Sequence, residues 1–134
     1  MKSWLWAVVV AGLLYLAIGL VTSDLTRFSG QVWRLVAWVA SLVVFVAHIA
    51  FERDRLRSAP ATAGFHAALA VALGAFGLAL AATLRAAAAG NYRGAYALAL
   101  VAWPVMTGVA AFVAAWGGAV VARGLLNRSS REHR

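Results

Sequence analysis

The side chains able to do chemistry are few, and four of them recur along one stretch. Arg34, Ser41, His48 and Glu52 are separated by 7, 7 and 4 residues. On an α-helix they fall within about 40° of one another, so they form a single polar line. His66 is the other histidine inside an apolar stretch. An imidazole can donate or accept a hydrogen bond, carry a proton, or ligate a metal or haem iron. Glu52 follows His48 by one turn and can hold an imidazole by accepting its N–H. His48, His66 and Glu52 are therefore the candidate polar cluster, and His48 and His66 the candidate ligands of any metal.

Three chemistries suit this cluster. A set of interhelical hydrogen bonds would fix the packing of two helices. A pair of imidazoles would serve a haem b or metal-binding electron-transfer module. A histidine and glutamate chain would relay protons or a substrate in a small oligomeric transporter or channel. The first is the expectation, with no cofactor, and haem b is the alternative. A second constellation, Arg34, Asp24, Tyr15 and Ser41, is a candidate outer polar clamp between two neighbouring helices, with an anion site as its alternative.

Other chemical signals are missing from the sequence. There is no Gly-rich phosphate loop, no H-E-x-x-H and no G-x-S-x-G, so the expectation is that the protein is not an enzyme. The chain has no cysteine, hence no disulfide framework, zinc knuckle or thiol chemistry. Its 4 acidic residues avoid the middle of every apolar stretch, against the pattern of a carrier built on a mid-membrane carboxylate.

The elements that must position these residues follow from composition. Of 134 residues, 64% are hydrophobic and 12% charged, against roughly 25% charged in a soluble domain. That leaves too little polar sequence to clothe a soluble globule, and it excludes disorder. A membrane-crossing helix needs ~20 mostly apolar residues. Four stretches meet that length, at about 4–21, 31–51, 61–84 and 95–121. They are continuously apolar and lack the period-two alternation of a barrel strand. Short connectors force antiparallel neighbours. The expected architecture is an all-α integral membrane protein, one up-down four-helix transmembrane bundle forming a single domain over 1–134. The first stretch is long for a signal peptide and lacks an A-x-A site, so it reads as an uncleaved span.

The net charge of +8 reads as topology and lipid contact rather than nucleic-acid binding. Lys2, Arg53, Arg55, Arg57, Arg123, Arg128, Arg131 and Arg134 fall on one side of such a bundle, and Arg27, Arg34, Arg85 and Arg93 on the other. The positive-inside rule then puts both termini in the cytoplasm. The Arg and Ala bias suggests a bacterial inner (plasma) membrane.

With these orientations, His48 and His66 each lie 7 residues to the cytoplasmic side of span midpoints at Ser41 and Leu73. Both are then ~10 Å from the midplane, at matching depth on adjacent helices.

Small residues supply the expected packing surfaces, because apolar burial does not drive association within lipid. Span three carries one such seam, Ala63, Ala67, Ala70, Gly74, Gly77 and Ala81, and span four another, Gly108, Ala111, Ala115, Gly118 and Ala122. Gly12 and Gly19 are one heptad apart on span one. Pro104 should bend span four. Trp4, Trp6 and Trp33 suit the membrane interface, and Trp38, Trp103 and Trp116 lie deeper. Glu132 and His133 belong to an Arg-rich tail expected to be mobile. The functional expectation is a small non-enzymatic accessory or structural membrane subunit, or a homo-oligomer, in contact with the lipid bilayer.

Overall fold

Without water to solvate the backbone, an apolar run satisfies its N–H and C=O groups within the segment, as an α-helix does. The computed structural model describes residues 3–25 and 30–132, and for Asp24 and 121–132 the backbone alone. It consists of α1 (Ser3–Leu25), α2 (Gly30–Asp54), α3 (Pro60–Ala88) and α4 (Gly94–Glu132). All 4 helices are long and apolar enough to cross a membrane. Among the described residues there is no strand, and the fold is an all-α four-helix bundle.

Each helix runs past the apolar stretch that predicts it. The largest extension is at the C-terminal end, where α4 continues as helix to Glu132. Arg and Leu, frequent there, are good helix formers. His133 lies outside the described residues.

Local chemistry sets the turns. Pro60 opens α3 in its first turn, where a missing N–H leaves no helical bond unmade. At the other end Gly90 takes φ 70°. That left-handed step lets the Asn91 N–H reach Ala86 O at 2.8 Å and the Gly90 N–H reach Ala87 O at 3.1 Å, closing α3 with a Schellman motif. Helix α4 passes through Pro104 without interruption. Nearby, the Thr107 hydroxyl donates to Trp103 O at 2.8 Å and Pro104 O at 3.2 Å.

The packing order differs from the chain order. Helix α3 is central and packs closely on α4 and α1, whereas α2 rests mainly on α1 and touches α3 sparsely. Small residues explain the close approaches. A Cβ added at Gly74 would lie 2.5 Å from Tyr15 Cβ and 3.1 Å from Gly12 O. At Gly108 it would lie 3.3 Å from Ala72 Cβ and 3.4 Å from Ala68 O. Helix α3 thus presents small residues on two faces, one to α1 and one to α4, instead of the single seam expected. On α4, Ala111 and Ala115 are buried. Gly118, expected in the same seam, is exposed, and a Cβ there would meet nothing within 4 Å. That end of α4 faces α2 across a groove.

Candidate functional site

The polar cluster forms where three helix ends meet. Antiparallel connectivity brings the start of α1, the end of α2 and the start of α3 to one side of the bundle. Glu52, in the last turn of α2, is 0% exposed. Its Oε1 lies 3.0 Å from His66 Nδ1 on α3. Its Oε2 accepts a hydrogen bond from Ser58 Oγ at 2.7 Å. An ionised carboxylate has only acceptors, so the imidazole presents Nδ1–H to it. Burying a carboxylate is tolerable when it is paired and hydrogen-bonded, and here both oxygens are engaged.

The chain makes this arrangement locally. Arg57 adopts φ 50°, a left-handed conformation that costs a non-glycine residue roughly 1–2 kcal/mol. The reversal returns the Ser58 N–H to Glu52 O at 3.1 Å. Ser58 therefore holds both the backbone and the side chain of Glu52. Pro60, two residues on, then starts α3 and leads to His66.

The opposite side of the cluster is closed by α1. The Trp4 indole stacks on the His66 ring, with centroids 4.5 Å apart and planes 2° from parallel. Around it Ala63, Ala67 and Ala70 are almost fully buried. One imidazole thus ties three helices together, by a hydrogen bond to α2, an aromatic stack on α1 and its own backbone in α3.

His48 occupies the turn before Glu52. It is 7% exposed, and its Nε2 is buried with no hydrogen-bond partner among the described residues. Glu52 and His66 are both near enough to act on it electrostatically. Among the described residues, no three His, Cys, Asp or Glu side chains are grouped so as to hold a metal ion. Glu52 holds His66 rather than His48.

The second constellation is only partly assembled. Tyr15 and Ser41 line one cavity of about 630 Å³ between the helices. Arg34, on the same line of α2, is exposed. No hydrogen bond or ion pair joins Tyr15, Ser41 and Arg34 among the described residues. The side chain of Asp24 lies outside the described residues. Tyr15 and Ser41 thus share a cavity wall that Arg34 does not line.

Two members of the site escape a reading of the polar line alone. Trp4 looks like an interfacial tryptophan, yet it covers His66. Its position at the start of α1, on the same side as the start of α3, is the signal that would have found it. Ser58 sits in a connector, where polar residues are ordinary. Its place two residues ahead of Pro60 marks it as a turn residue able to cap what precedes it.

Compared with protein-family models, with curated proteins and with solved structures, the chain matches none of them.

Proposed function

We propose that the protein is a non-enzymatic multi-pass subunit of a bacterial inner membrane, with both termini cytoplasmic, acting through assembly with copies of itself or with other membrane proteins. One observation carries this reading. The most polar site is turned inward, with Glu52 fully buried and both its oxygens bound within the chain. Such a cluster holds three helices in register and leaves the outer surface to act. Helices within lipid associate through packing and interhelical hydrogen bonds. The exposed Trp38, Trp103 and Trp116 offer large packing surfaces for a neighbour.

The alternatives have less support. Neither interhelical cavity is lined by His48 or His66. The unpartnered Nε2 of His48 is the observation that favours a relay. Cross-linking in native membranes followed by light scattering of the purified protein tests the assembly reading. An oligomer or a reproducible heteromeric band is expected. A strictly monomeric protein with no cross-linked partner overturns it. Proton-linked flux in proteoliposomes that disappears in His48→Leu would favour the relay instead.

A further inference from the structure

Helices α2 and α4 face each other across an open seam. Two cavities lie along it, of about 470 and about 630 Å³, the second backed by Ile18 of α1 and Val71 of α3. Both are bounded by Phe45 of α2 and Ala114 of α4, so they adjoin. The first reaches the α2 terminus at Arg53 and Asp54. The second extends inward to Trp38 and Trp103. From Arg53 to Trp38 the groove follows α2 for ~22 Å.

We infer that this groove holds one acyl chain of an anionic phospholipid, with the lipid phosphate at Arg53. An acyl chain is narrow, flexible and apolar enough to follow such a groove. The groove is also longer than the ~15 Å of one leaflet's hydrocarbon, so it suits a chain held extended. Its walls are mainly apolar; the Thr107 hydroxyl is bonded to Trp103 O and Pro104 O, and the Tyr15 and Ser41 side chains also line the second cavity. Gly118 forms open floor near the mouth.

Charge selects the headgroup. Arg53 is exposed at the mouth and makes no ion pair with a described residue. A guanidinium binds the phosphate of either lipid through two parallel hydrogen bonds, and an excess of positive charge at the mouth disfavours the ammonium of phosphatidylethanolamine. Arg55 and Arg57 follow, both exposed. Asp54 also lines the mouth, so the preference rests on the basic residues outnumbering it. The inference holds for a monomer, or for an oligomer whose contacts leave this groove to lipid.

The test is native mass spectrometry of the full chain released from nanodiscs of equal phosphatidylglycerol and phosphatidylethanolamine. One phosphatidylglycerol per chain is expected to survive release preferentially. Arg53→Gln should lower that preference about fivefold, the worth of one basic residue against anionic lipid, with helicity by circular dichroism unchanged. Gly118→Leu fills the groove where no atom stands and should remove the bound lipid of either headgroup. Equal retention of both lipids by the unmodified protein overturns the headgroup assignment. Undiminished retention in Gly118→Leu overturns the groove assignment, as does a Gly118→Cys disulfide between two copies.

Discussion

Glu52 is where the chain takes its largest electrostatic risk. Removing one partner of a buried pair costs about 3–5 kcal/mol, because the other polar groups lose their compensation. Glu52→Ala strands His66 Nδ1 and Ser58 Oγ, and should lower thermal stability by that order in detergent. Glu52→Gln keeps an acceptor oxygen and loses the charge, and should cost about 1–2 kcal/mol. Equal melting temperatures for the two variants would show that the acceptor oxygen kept by glutamine contributes nothing. Trp4 and His66 can be tested as a pair. A double-mutant cycle with Trp4→Leu and His66→Leu should give a coupling of about 0.5–1.5 kcal/mol, the range for stacked rings. A coupling near zero would deny the stack any energetic role. The helical spacing of 4 between His48 and Glu52 made their neighbourhood legible. Which imidazole the carboxylate holds was not, because that depends on the angle at which α3 meets α2.

Helix pairing depends on where side chains are missing. Gly74 is pressed against Tyr15 and the Gly12 carbonyl. Gly74→Val should therefore separate α1 from α3 and cost about 1–3 kcal/mol, as overpacking does. Gly117 is the internal control, since a Cβ there meets nothing within 4 Å. Gly117→Ala should be neutral or stabilise by up to ~1 kcal/mol through helix propensity. Unfolding both in the same detergent, followed by circular dichroism, checks the contrast, and comparable losses would refute it. The small-residue spacing on α3 was visible in the sequence, including the buried Ala63, Ala67, Ala70 and Gly74. That α3 uses two faces was hidden by its Ala content, which makes nearly every face small.

The whole bundle is oriented by its charges if the positive-inside rule governs its insertion. The chain has no cysteine, so single cysteines can report topology without background. Asn91 and Ala59 are exposed in connectors on opposite sides of the bundle. In intact cells Asn91→Cys should react with a membrane-impermeant maleimide, and Ala59→Cys should react only after lysis. The reverse pattern would place both termini outside. The same connectors set the overall topology, since each is too short to permit anything but an antiparallel return.

The four helices, their antiparallel order and the side of the bundle on which each polar group lies can all be read from composition and spacing. Apolar length, helical period and short connectors are local quantities, and they suffice for that. The sequence also placed Glu52 within reach of an imidazole. Only the tertiary structure decided that His66 is the one held, that Trp4 covers it, that Arg34 stays outside, and that α2 and α4 part to leave a groove. Those outcomes depend on how each helix is rotated and tilted against its neighbours. In lipid, that rotation is set by contacts among small residues, and an Ala-rich chain offers several nearly equivalent faces to choose from.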